Sequence, residues 1–248
     1  MNGFQGDAIE LDEPEALPVL TGGEIIALQQ IPWGSNYTFV AQIDAGNGRY
    51  IKAIYKPCEG EQPLHDFPAG TLYKREYAAF LLARALGWPE VPLTVVRDGP
   101  YGVGSVQLYV EADTQLTYFD VSEKYRDEFL KFSIFDVISN NADRKGGHCL
   151  IGEDGRIWSI DHGLTFHHVF KMRSVMLEFW GQPVPQPLIA EMQALADRLA
   201  RPSGLVEALR ENLSQQEIDA ISMRLERLLK MKAIPMLDPN RNVPWPLV

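Results

Sequence analysis

The sequence predicts an α+β fold in two lobes, a β-rich lobe followed by a mainly helical one. Three observations carry this expectation. Apolar runs bounded by Gly, Pro, Asn and Asp fill residues 24–56 and 93–110, as strands and their turns do. From Tyr125 onward apolar residues recur instead at helical spacing. Within that second half lies FDVISNNADRKGGHCLIGEDGRIWSIDHGLTF, residues 135–166. There Asp143 and Asp161 flank two short apolar runs joined by Glu153-Asp154-Gly155, a strong hairpin signal. A hairpin folds back on itself, so both carboxylates emerge at the same end.

Taken in order, residues 1–18 are acidic, carry Pro14 and Pro18, and show little periodicity; they read as a flexible acidic arm. Strands follow at 24–28, 37–43 and 50–56. The last of these alternates Tyr50, Lys52, Ile54 and Lys56 against Ile51, Ala53 and Tyr55. Asp44-Ala45-Gly46-Asn47-Gly48 is the turn between the latter two strands. Residues 71–86 are helical, with Tyr73, Tyr77, Phe80 and Leu81 near one face, until Gly87 and Pro89 stop them. Strands at 93–97 and 104–110 complete a first lobe of residues 19–111. The second lobe, 112–248, begins with a helix at 125–139 with Leu130, Ile134, Val137 and Ile138 on one face. The hairpin comes next, then helices near 187–201 and 214–232. Ser214 and Glu217 form a capping box for the last helix. Its stripe of Ile218, Ile221, Leu225, Leu228 and Leu229 reads as core packing.

Composition sets outer limits. The chain has 248 residues, 46% hydrophobic and 23% charged, with a net charge of −10. Such an acidic balance argues against a nucleic-acid partner, which needs a basic face. No apolar run approaches the roughly 20 residues of a membrane span, and the opening lacks a secretory pattern. Cys58 and Cys149 make no disulfide framework, so a cytoplasmic location is expected. Nothing reads as a coiled-coil seam, and the oligomeric state stays open.

Four local features then line up. Gly34-Ser35-Asn36 joins the first two strands, as a tight turn or as a loop whose N–H groups cradle phosphates. Lys56 ends a strand, as a solvated edge lysine or as a point charge for phosphate oxygens. Glu76, on the following helix, either pairs with Lys56 or is surface charge. Asp143 and Asp161 complete the series. Their order is that of the parts of protein and lipid kinases: glycine loop, strand lysine, helix glutamate, connector, acidic loop, hairpin, second aspartate.

Asn141-Ala142-Asp143-Arg144 followed by Ile160-Asp161-His162-Gly163 resembles the phosphatidylinositol 3- and 4-kinase superfamily. The likeness is to its small bacterial members of unassigned substrate, with HipA-type kinases more distant. Ala53-Ile54-Tyr55-Lys56-Pro57 resembles the strand carrying their ATP-binding lysine, and the resemblance spans roughly residues 24–180. It implies a bilobal protein-kinase-like fold using ATP and Mg2+ or Mn2+. Gly34, Ser35, Asn36 and Lys56 would meet the phosphates, and Glu76 would anchor Lys56. Gln107, Leu108, Tyr109 and Val110 would form the hinge beside adenine, walled by residues such as Ile54 and Ile160. Asp143 would orient a hydroxyl of an unidentified protein, small-molecule or lipid acceptor. Asp161 would hold metal, and Arg144 is expected to meet a nearby carboxylate or carbonyl.

One position departs from that pattern. The family's metal-binding asparagine, five residues past the catalytic aspartate, is here His148. Imidazole suits zinc, manganese or iron better than magnesium. A nucleotide-binding pseudokinase is therefore an alternative, and nucleotidyl transfer by the same residues is another. His148, His162, His167 and His168 near Asp161 also suggest a metallohydrolase, although none of them has the His-x-x-x-His spacing of one helix face.

Overall fold

The structure, a computed structural model, describes residues 6–32 and 36–248. The chain divides into two compact units, Met1–Tyr77 with Pro92–Val110 and Ala78–Val91 with Glu111–Val248.

The first unit is built on one sheet. Its elements are Asp7–Ala8 (β1), Glu13–Gly22 (α1), Ile25–Gln30 (β2), Phe39–Gly46 (β3), Arg49–Pro57 (β4), the start of Leu72–Leu86 (α2), Thr94–Gly99 (β5) and Gly102–Leu108 (β6). The strand order is β2-β3-β4-β6-β5, antiparallel throughout, and β1 pairs in parallel with the start of β4. The β3–β4 turn places Gly46, Asn47 and Gly48 at φ of 81°, 56° and 70°. Glycine and asparagine are the residues that accept such a run of left-handed backbone. Along β4, Ile51, Ala53 and Tyr55 are buried while Lys52, Ile54 and Lys56 face the other side. Tyr55 fits because Gly99 and Gly104 lie against its ring; a Cβ on either would come within 2.8 Å of it.

The acidic opening is not a flexible arm over its described part. Asp12 caps α1 by accepting from the Glu15 N–H at 3.0 Å, and Ala16 and Leu20 are fully buried. Arg97 of β5 donates to the carbonyls of Leu20 and Gly23 at 3.0 and 2.8 Å, satisfying the end of the helix. Acidic composition and two prolines hid a helix: Pro14 sits in the first turn, where no N–H is needed, Glu13 and Glu15 favour the positive end of the dipole, and Pro18 lies inside the helix.

The second unit takes the rest of α2 and then Tyr118–Val121 (α3), Arg126–Ser139 (α4), Cys149–Ile151 (β7), Ile157–Ser159 (β8), Gln186–Leu199 (α5), Gly204–Asn212 (α6) and Gln215–Met231 (α7). Residues 78–91 group here rather than with the sheet because their bonds lie here. The Ser159 N–H donates to Glu90 at 2.7 Å, Trp88 Nε1 to Glu191 at 2.5 Å, and Arg198 to Ala85 at 2.8 Å. One apolar face was expected of α4, yet every residue from Phe132 to Asn140 is buried; the helix runs through the core of its unit. Helix α6 escaped the sequence reading. Its signal was Ser203, whose hydroxyl accepts from the Val206 N–H at 3.3 Å. Among the described residues, no helix is long and apolar enough to cross a membrane.

Docking of α1 is testable. Leu20→Ala should cost about 2–5 kcal/mol of stability in urea unfolding. Leu17→Ala, at a position 46% exposed, should stay within about 0.5 kcal/mol. Equal, small effects would restore the flexible arm.

Candidate active site

The second unit's site is assembled at the open end of the β7–β8 hairpin. Cys149 pairs with Ser159 and Ile151 with Ile157, and the ladder continues one step as the Ile160 N–H donates to the His148 carbonyl at 3.1 Å. The next residue, Asp161, turns at φ 60°. Its Oδ2 then lies 3.3 Å from His148 Nε2. On the incoming side, Asn140 ends α4 in the left-handed conformation (φ 53°). The Asn141 side chain accepts from the Asp143 N–H at 2.9 Å and fixes the next turn. Lys145 Nζ meets Asp143 Oδ2 at 3.2 Å.

Arg144 joins the two sides. It is fully buried and forms a fork–fork pair with Asp136 of α4, both bonds 2.9 Å. Its Nη1 donates to the carbonyls of His148 and Ile160 at 3.0 and 3.2 Å. Its Nη2 lies 2.8 Å from Ser159 Oγ and 3.1 Å from His162 Nε2. A guanidinium only donates, so His162 accepts here. Arg144 thus meets both a carboxylate and carbonyls. His162 spends Nε2 on Arg144 and Ser159. Asp136 was missed from sequence because it sits in the apolar run Phe135-Asp136-Val137-Ile138; a carboxylate inside a core helix was the signal available.

Electrostatics separate the carboxylates. Burial raises the Asp143 pKa above the usual carboxylate range and the Asp161 charge adds to this, with Lys145 and Arg173 partly offsetting both. The two carboxylates are therefore close enough to feel each other, at the same hairpin end. Asp161 itself is half exposed.

In the first unit, Lys56 on β4 is ion-paired with Glu76 on α2. Glu76 is almost wholly buried and the Lys56 side chain about a quarter exposed, and the ammonium is held by its anion. Gly34 and Ser35 lie outside the described residues. The Asn36 side chain accepts from the Gln62 N–H at 2.7 Å. Of the hinge segment, Gln107 donates its side chain to Thr94 at 2.9 Å. The Leu108 and Tyr109 N–H groups donate to Leu93 and Lys52 at 2.7 and 3.1 Å. Val110 closes the unit. His167 and His168 stack on each other at 4.6 Å. Among the described residues, no three His, Cys, Asp or Glu gather where a metal ion could sit.

The family model for phosphatidylinositol 3- and 4-kinase matches residues 94–218. The chain is 36% identical over 263 residues to protein Rv2133c of Mycobacterium tuberculosis, covering 92% of this chain and 94% of that one. The chain belongs to the phosphatidylinositol 3- and 4-kinase family. Solved structures agree on the fold. The Golgi casein kinase with Mn and ADP bound aligns over 89% of this chain and 76% of its own at a TM-score of 0.57 and 18% identity. The Helicobacter pylori proinflammatory kinase CtkA aligns over 88% of this chain and 95% of its own at 0.55 and 12% identity. The fold is α+β and kinase-like, as the sequence led one to expect, and the chain is a small member of its family.

Two measurements follow from the geometry. Asp136→Ala leaves Arg144 charged and buried without its anion and should cost about 3–5 kcal/mol in urea unfolding. Asp143 behaves oppositely. Its folded pKa is raised, so ionisation destabilises the fold; the penalty is absent below the unfolded value and complete above the folded one. Asp143→Asn should therefore be more stable than wild type at neutral pH, with the gain vanishing below about pH 4. A gain that persists in acid would show that the charge is not its source.

Proposed function

We propose that this chain is an ATP-dependent phosphotransferase that moves the γ-phosphoryl group to a hydroxyl of a protein or small-molecule acceptor. The observation carrying this reading is the pair of unlike carboxylates at the hairpin end, Asp143 half-buried beside Lys145 and Asp161 half exposed beside His148. Raised proton affinity improves Asp143 as a base for the acceptor hydroxyl. It orients that hydroxyl and takes its proton, while Lys145 holds the carboxylate in place. In the first unit, Lys56 braced by Glu76 presents a fixed positive charge to phosphate oxygens. Gln107 to Val110 flank adenine, with Ile54 as one wall.

The residues fit a divalent cation. Mg2+ is commonly held by one or two carboxylates, with phosphate and water completing the shell, and Asp161 supplies such an oxygen. His148 serves differently from a simple ligand. The Lys145 N–H donates to its Nδ1 at 3.5 Å, which puts the ring proton on Nε2, facing Asp161. In this arrangement His148 orients the metal-binding carboxylate; direct ligation requires the ring to release Lys145, and Mn2+ then suits imidazole better than Mg2+. That one solved neighbour carries Mn and ADP supports trying both metals. The bound cation and nucleotide supply charge neutralisation and the transferable group.

The same His148–Asp161 contact supports a second reading, a pseudokinase whose metal carboxylate is engaged by a histidine. A lipid acceptor is disfavoured by the net charge of −10, since anionic membrane surfaces attract basic segments.

Calorimetry with Mg2+ and then Mn2+ decides between these readings. Wild type should bind ATP in a metal-dependent way and Asp161→Ala about tenfold or more weakly. Asp143→Ala should still bind but lose about 10²–10⁴ in turnover. Turnover unchanged in both variants would sink the catalytic assignment, and tight binding without turnover for either metal would establish the pseudokinase.

A further inference from the structure

Away from Asp143, the second unit contains a cavity of about 300 Å³ lined by α4, α7 and the segments near Phe170 and Met236. Its walls are apolar, with Val137, Phe170, Leu228 and Met231 among them. Phe170 and Met231 are each 46% exposed, large apolar groups standing open beside a hollow. The volume falls at the lower end of small-molecule pockets, roughly 300–1,000 Å³.

Two arginines of α7, Arg224 and Arg227, complete the lining. Arg224 Nε donates to the Ile138 carbonyl at 2.8 Å and Nη1 to the His167 carbonyl at 3.3 Å. Its Nη2 is buried without a hydrogen-bond partner. Burial lowers the Arg224 pKa to about 10, with the Glu217 charge opposing, so the group remains cationic at neutral pH. The lining carries these two guanidiniums and no carboxylate, so its charge favours an anion. Arg227 is exposed and adds a second positive charge to the same lining.

The geometry points to a binding site, separate from the phosphoryl-transfer residues, for a free single-chain amphiphilic anion: an alkyl chain ending in a carboxylate or phosphate. The chain fills the apolar hollow and the head group meets the two guanidiniums. Arg224 connects this site to the catalytic loop, because it shares the His167 carbonyl with the Asn140 side chain. Occupancy is therefore felt at the residue that ends α4, just before Asn141 and Asp143.

The test is calorimetric titration of the full chain with alkanoates and alkyl phosphates of about eight to twelve carbons, below their micellar concentrations. Matching alcohols are the neutral controls. One saturable site is expected, tightening about fourfold per added methylene (about 0.8 kcal/mol) until the hollow is full. Alcohols should bind about tenfold more weakly, and amide exchange should slow over residues 137–142 and 224–237. Met231→Trp fills the hollow from an exposed position and should weaken the anion about tenfold. Should that variant unfold, Arg227→Gln carries the test, weakening the anion but not the alcohol. Absence of saturable binding, alcohols binding as tightly as anions, unchanged affinity in a folded variant, or protection elsewhere on the chain would each overturn the site.

Discussion

Arg144 carries a full positive charge where no water reaches, and the second unit's site depends on how that charge is met. Asp136 neutralises it from the buried second half of α4. The remaining donors then reach carbonyls and side chains on both arms of the hairpin end. One side chain thus fixes α4, the loop that carries Asp143 and the turn that carries Asp161. A buried ion pair is a poor source of net stability, because desolvating both ions consumes most of the attraction. What it supplies here is position: any displacement of one arm strands a charge. The sequence places Asp143 immediately before this anchor and Asp161 immediately after Ile160, whose carbonyl the anchor holds.

The first unit solves its problem the same way on a smaller scale. Glu76 is almost wholly buried, and Lys56 is its cation. Strand alternation puts Tyr55 into the core and Lys56 on the opposite face, and the glycines beside Tyr55 leave room for its ring. The lysine's direction is therefore set by packing on one side of the strand and by charge on the other. In each unit a charged side chain of the candidate site stands next to a residue that the core cannot release.

How far this was legible depended on whether the information was local. The hairpin was, because Asp-Gly between apolar runs specifies a turn and the turn specifies the register. So were the β4 alternation and the Ser214–Glu217 cap. Asp136 was not, because its partner is eight residues away across a turn and a carboxylate among Phe135, Val137 and Ile138 reads as noise in an apolar pattern. Helix α1 carried its cap and its proline in the right places, but its buried residues, Ala16 and Leu20, are too few to make a periodic stripe. The Lys56–Glu76 pair was visible as an order of residue types and became a contact only once α2 was placed against β4.

His148 shows how a side chain beside the candidate site can vary without disturbing the fold. Its carbonyl accepts from Arg144 and from the Ile160 N–H, and its own N–H donates to the Lys145 carbonyl at 3.2 Å. All three use backbone atoms of residue 148, so the path of the chain there is fixed whatever the side chain. Position 148 can therefore change its chemistry without moving Asp143 or Asp161. The histidine uses that freedom in a particular way. The Lys145 N–H at Nδ1 aims Nε2 at Asp161, and an imidazole so held is a donor to the carboxylate before it is anything else. The side chain of residue 148 thus bears on Asp161 and leaves the scaffold that positions it intact.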